Sequence, residues 1–220
     1  EAATCEDFVR AMEEGGEIDL GQFRRWYEQA GTPHVRALLS HDPVSRTAEL
    51  LLEQSVPPTP GQPDKRPMAI PLRVALYDPA TGSHHGDQLL MLTEAQQRFT
   101  FDNFASLPIL SINRGFSAPV IVETNRSQAD LAFLSAHDDD PFARYEAMQQ
   151  LMVNVLVGQV AGQSVDVTAV VDAVRNTITD PLLDPAFVAE AVRLPSEAYL
   201  GDQMKQVDPD AIHAARDALQ

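Results

Sequence analysis

The spacing of apolar residues in this chain changes twice, from helical to alternating near Pro33 and back to helical near Ser127. A period of 3.6 lays one face of a helix on a core, and a period of 2 lays one face of a strand there. A chain that keeps the two periods in separate blocks folds as segregated helices and sheets, not as an interleaved parallel sheet.

In the first block, Cys5, Phe8, Val9 and Met12 fall on one helical face, which Gly15 and Gly16 close. Asp19 with Gln22 reads as the cap of a second helix through Leu20, Phe23, Trp26 or Tyr27, and Ala30, stopped by Gly31 and Pro33. The short connection places Phe23, Trp26 and Tyr27 against a first strand near Val35.

In the middle block, Ala48, Leu50 and Leu52 alternate with Thr47, Glu49, Leu51 and Glu53, and Leu72, Val74 and Leu76 repeat the pattern. Between them, Pro57, Pro58, Pro60, Pro63 and Pro67 remove the N–H groups a ladder needs and predict a long surface loop. Further strand-like runs at 89–92, 98–101, 109–112 and 120–124 bring the total to roughly seven, as in an antiparallel sandwich. In the last block, Ser127 with Asp130 resembles a capping box. Asp140-Pro141, Asp184-Pro185 and Asp208-Pro209 each set a good N-cap before a proline suited to the first helical position. The expected architecture is a multi-domain α+β chain: short N-terminal helices, an immunoglobulin/fibronectin-like antiparallel β-sandwich, then an α-helical array. The chain begins without Met inside one helical pattern and ends inside another, which reads as a piece of a longer protein.

Charge narrows the function. Sixteen basic against 32 acidic residues give a formal net charge of -16, which repels nucleic acid and anionic membranes alike. Neither is an expected partner. Cys5 stands alone, so no internal disulfide forms; a lone thiol fits a reducing, cytoplasmic compartment, and its apolar face suggests a packed thiol rather than a nucleophile. No apolar run approaches the ~20 residues of a membrane helix.

Few motifs carry chemistry. H-E-x-x-H, G-x-S-x-G, G-x-G-x-x-G and the phosphate-binding loop are absent. His84-His85-Gly86-Asp87 offers imidazoles that share a metal only if the loop is irregular; otherwise it is a solvated loop tip. His137-Asp138-Asp139-Asp140 sets three carboxylates beside an imidazole, but Asp140 is placed to cap the next helix, with Asp138 and Asp139 near its positive end. Asn125-Arg126-Ser127 fits the glycosylation acceptor pattern, which has meaning only in a secreted protein. Asp78 and Asp87 are close in sequence without a spacing that pairs them. The residues alone therefore give no catalytic, cofactor-binding or metal site.

Certain segments are nonetheless distinctive. Ile18-Asp19-Leu20-Gly21-Gln22-Phe23-Arg24-Arg25-Trp26-Tyr27, followed by Gln29-Ala30-Gly31-Thr32-Pro33, resembles the exit from the catalytic domain of the bacterial aminopeptidase N family. The likeness continues through Pro57-Pro58-Thr59-Pro60, Ile70-Pro71-Leu72, Leu76-Tyr77-Asp78, Phe101-Asp102-Asn103 and Phe116-Ser117-Ala118-Pro119-Val120. It reaches Leu131–Leu134 with His137, and Val207-Asp208-Pro209 with Ala211-Ile212. The resemblance implies that residues 1–33 end a catalytic domain, 34–125 form a β-sandwich spacer, and 126–220 begin a helical domain that roofs the active site. It implies a parent zinc aminopeptidase, a hydrolase that removes N-terminal residues from peptides. The zinc motif and the Gly-rich exopeptidase motif of the family match no position here, so no catalytic, cofactor or metal residue is carried over. The implied partners are the parent's own catalytic domain, the rest of its helical domain, and its peptide substrates. A stand-alone sandwich with helices that binds a peptide or partner protein without catalysis is the competing expectation.

Overall fold

The computed structural model describes residues 2–220. It divides into two compact units, each with its own interior.

The first unit comprises Glu1–Val74, Gly86–Pro108 and Ser117–Asn125. It opens with α1 (Cys5–Gly16), capped by a Thr4–Asp7 capping box and closed by Glu17 in the left-handed conformation. Only Val9 of α1 is buried; Phe8 and Met12 are exposed, and so is the Cys5 thiol, which corrects the expectation of a packed one. The second helix is shorter than its sequence period: α2 spans Arg25–Glu28 alone. Gln22 does not close a capping box. Its amide donates instead to the Pro67 and Thr93 carbonyls, while Asp19 accepts from the Gly21 N–H in a tight turn.

Strands β1 (His34–Asp42) and β2 (Thr47–Ser55) form the hairpin at the centre of a four-stranded sheet, ordered β5–β2–β1–β7, with β5 at Gln96–Phe101 and β7 at Ile121–Thr124. The alternation holds: Ala48, Leu50, Leu52 and Gln54 are buried along β2, and Val35, Ala37 and Leu39 along β1. One pairing departs from the all-antiparallel expectation, since β7 runs parallel to β1, with His34 opposite Ile121. The chain between them is long enough to return in either direction, whereas only a tight hairpin enforces the antiparallel one. A second sheet is ordered β4–β3–β6, with β3 at Ile70–Tyr77, β4 at Gln88–Leu92 and β6 at Ile109–Ile112. Within the first unit, β3 and β4 pair from Ile70 opposite Leu92 to Val74 opposite Gln88.

Two polar anchors tie the proline-rich loop of this unit down. Gln54, buried at the end of β2, donates to the carbonyls of Met68, Leu92 and Glu94 and accepts from the Met68 N–H. Lys65 Nζ reaches the Ala30 carbonyl, Thr59 Oγ1 and Gln62 Oε1 at 2.7–2.8 Å. The aromatic junction forms in part. Trp26 Nε1 donates to the Ala69 carbonyl at 2.8 Å, beside the start of β3 rather than near Val35, and Tyr27 remains exposed.

The second unit holds Ala75–His85, Ile109–Phe116 and Arg126–Gln220. Its helices are α3 (Gln128–His137), α4 (Pro141–Val160), α5 (Thr168–Thr179), α6 (Pro185–Ala191), α7 (Glu197–Asp202) and α8 (Pro209–Leu219). The three Asp-Pro caps act as read: Asp140, Asp184 and Asp208 each accept from an amide in the first turn that follows. Ser127 and Asp130 form the expected capping box. Leu131, Leu134, Met148, Leu151, Met152, Val155, Val170 and Ala173 build one core, and Val153, Leu156, Leu200, Ile212 and Ala215 a second. Among the described residues no helix is long and apolar enough to cross a membrane.

Candidate functional site

The polar group most withdrawn from water lies in the second unit, where four stretches of chain meet. The end of β3 brings Tyr77, the following turn His84, β6 and the turn after it Ser111 and Arg114, and the α3–α4 corner Asp138 and Asp139. The sequence sets His84 and Asp139 55 residues apart, in the two stretches that looked most like metal ligands. The fold places His84 Nε2 3.2 Å from Asp139 Oδ2.

Arg114 organises the group. Its Nη1 donates to Asp138 Oδ1 at 2.6 Å and to Ser111 Oγ at 3.1 Å, and its Nη2 donates to Asp139 Oδ1. The Tyr77 hydroxyl has one proton and two carboxylate acceptors, Asp139 Oδ1 at 2.8 Å and Asp138 Oδ1 at 3.2 Å. The phenol oxygen in turn accepts from the Asp139 N–H at 3.1 Å. Asp140 caps α4 through the Ala143 N–H at 2.8 Å and also accepts from the Gly115 N–H at 3.0 Å. That second bond holds the turn at 113–116, where Asn113, Gly115 and Phe116 all have φ of 52–62°. Only glycine adopts that region freely, so the turn is held by its surroundings rather than by local preference. Packed rings close the group, Tyr77 against His84 with centroids 4.7 Å apart and against Phe133 at 5.7 Å.

The electrostatics follow from burial. The Asp138 side chain is 0% exposed, and burial pushes its carboxyl up, opposed by the Ser111 hydroxyl, the Asp140 N–H and the Arg114 charge. Burial acts the same way on Asp139, but the hydrogen bonds from Arg114, Tyr77 and His84 hold its carboxyl well below the usual carboxylate range. Burial raises the Tyr77 phenol, so it stays protonated and able to donate. The group is one guanidinium held between two carboxyl groups, with a phenol bridging them. Arg114, Asp138, Asp139 and Tyr77 bond chiefly to one another, and such a set holds a corner of the fold together.

The other sequence candidates do not converge. His85 is exposed, and Asp87 lies 3.9 Å from Arg73 within the first unit. The His137 ring stacks on Phe133. Asp78 accepts from the Ala80 N–H in a turn. Asn125 makes two hydrogen bonds to the Leu39 backbone, so its amide serves the strand. Among the described residues, no three His, Cys, Asp or Glu side chains are grouped as a metal would need. Sequence reasoning missed Arg114 and Tyr77; a guanidinium in an apolar β–turn stretch of so acidic a chain was the available signal.

Comparison with known proteins adds what this geometry does not carry. Residues 31–125 match the domain described as "Domain of unknown function (DUF3458) Ig-like fold", and residues 128–220 the domain described as DUF3458_C, ARM repeats. Aminopeptidase N of Escherichia coli strain K12 is 38% identical over 230 residues, covering 99% of this chain and 26% of that protein. Aminopeptidase N of Haemophilus influenzae is 36% identical over 232 residues, covering 100% of this chain and 27% of that protein. Among solved structures, Legionella pneumophila aminopeptidase A in complex with aspartic acid superposes with a TM-score of 0.87 at 25% identity, over 99% of this chain and 25% of that one. The chain thus spans about a quarter of the length of the relatives it matches.

Proposed function

The chain belongs, over its length, to the aminopeptidase N family, and we propose that it is a non-catalytic segment of a zinc aminopeptidase, serving as spacer and part of the roof over the active site. One observation carries this reading: identity of 36–38% persists across the whole chain while accounting for only 26–27% of each relative. Within the proposal, residues 1–33 end the catalytic domain, 34–125 are the spacer and 126–220 begin the roof.

The parent's zinc would supply a polarised water for attack on a peptide bond. The residues here do not fit that metal. H-E-x-x-H is missing from the sequence, and the carboxyl groups of the tightest polar group are bound to the Arg114 guanidinium. The chain's own part is mechanical: the Arg114 clamp fixes the α3–α4 corner from which the helical array grows. Its partners in this reading are the parent's catalytic domain and remaining helices, with peptides as the parent's substrates and neither nucleic acid nor membrane involved. The acidic balance and the single cysteine support a cytoplasmic place for it.

Sequencing the flanking coding region tests the reading. The expected result is an open frame with H-E-x-x-H upstream of Glu1 and further helical sequence beyond Gln220. A start codon directly before residue 1 and a stop directly after residue 220 would overturn it.

A further inference from the structure

A cleft of about 420 Å³ opens in the second unit where α4, α6, α7 and α8 meet. That size lies within the range of small-ligand sites, roughly 300–1,000 Å³. Its walls carry two tyrosines, Tyr145 and Tyr199, and two carboxylates, Glu146 and Glu190.

Among the described residues, one carboxyl group of the cleft has no ion pair. Arg193 lies 3.8 Å from Glu190. Arg216 donates through Nε to the Pro195 carbonyl at 2.9 Å and lies 3.5 Å from Glu197. Both guanidiniums on the wall are therefore engaged. Glu146, exposed on the cleft wall, has no ion pair among the described residues, and the charge of Arg126 acts on it from nearby. A carboxylate in that position gains from a mobile cation that can enter beside it. Gln149 spends its amide N–H groups on the Ala191 and Arg193 carbonyls, which leaves its side-chain oxygen as an acceptor on the same wall.

We propose that this cleft binds the cationic head of a basic side chain, a guanidinium or an alkylammonium, with Glu146 as counter-ion and the Tyr145 and Tyr199 rings as aromatic walls. Tyrosine faces attract organic cations within about 6 Å of the ring centre. A hard metal ion is a poorer fit, because it needs several oxygen ligands gathered at one point. The chain's net charge of -16 raises the local concentration of cations throughout. The site stands on the cleft alone and holds whether or not the aminopeptidase reading does.

The test titrates the 220-residue chain with N-acetyl-arginine amide and, separately, with the uncharged N-acetyl-citrulline amide, followed by 1H–15N NMR. N-acetyl-lysine amide forms a third arm that separates guanidinium from ammonium preference. The expected result is saturable shifts confined to residues 145–150 and 190–199 with the charged probes, and no saturation with citrulline. Glu146→Gln, a conservative change at an exposed position, should weaken binding about tenfold, as loss of a charge-assisted hydrogen bond would. Tyr199→Leu should weaken it several-fold and Tyr199→Phe hardly at all. Equal binding of the citrulline probe, unchanged binding by a folded Glu146→Gln variant, or no shifts with either cation would each overturn the proposal.

Discussion

Arg114 Nη1 lies 2.6 Å from Asp138 Oδ1, and the two side chains are 3% and 0% exposed. Two opposite charges withdrawn from water form a pair whose removal is asymmetric. Deleting one partner strands the other in a medium that solvates it poorly, whereas deleting both leaves an apolar space. Arg114→Met should therefore destabilise the second unit by about 3–5 kcal/mol. The double variant Arg114→Met/Asp138→Leu should recover much of that loss. Urea unfolding followed by circular dichroism measures both; a double variant no better than the single one would refute the pair's role. The Asp139 arm is 63% exposed and should contribute far less, as Asp139→Asn would report.

Trp26 gives a second, milder prediction. Its indole N–H donates to the Ala69 carbonyl, and the ring is half-buried. Trp26→Phe keeps most of the ring contact and loses that bond, for an expected cost of about 0.5–1.5 kcal/mol. Emission of the wild-type chain should be intermediate in wavelength and partly quenched by iodide. Fully exposed emission together with a Trp26→Phe variant of unchanged stability would contradict the contact.

His213 supplies the pH dependence. Its Nδ1–H donates to Glu197 Oε1 at 2.9 Å, and Nε2 lies 3.4 Å from Asp217. The hydrogen bond to Glu197 and the two carboxylate charges raise it above the ordinary value of 6.5. A group raised on folding stabilises fully below its unfolded pKa and loses that contribution as pH climbs through the folded value. The α7–α8 contact should thus weaken as pH rises above about 6.5, where unfolded histidine titrates. A 1H NMR titration of the ring should give a midpoint above that of a free histidine, and Glu197→Gln should bring it down. An unchanged midpoint in Glu197→Gln would remove the contact from the account.

The parts of the fold that were legible in the sequence are those decided within a few residues. Asp140, Asp184 and Asp208 before proline mark helix starts because a cap and its amide sit three positions apart. The alternation in β2 likewise needs only its own strand. Gln22 misled for the opposite reason: its amide is taken by Pro67 and Thr93, 45 and 71 residues away, so its helical spacing from Asp19 had no effect. Phe8 and Met12 kept their helical period without being covered, since amphipathicity says which face an element offers and not what meets it. The Arg114 group was illegible for a similar reason. Its members come from four stretches, and the sequence reading weighed His84 and Asp139 as separate metal candidates instead of as one contact.

Zinc content and turnover of the purified 220-residue chain test the central claim most directly. After dialysis against buffer without chelator, the account predicts well under one zinc per chain and no hydrolysis of an aminoacyl-nitroanilide, because a catalytic zinc needs about three protein ligands in fixed geometry. Stoichiometric zinc accompanied by turnover would contradict it.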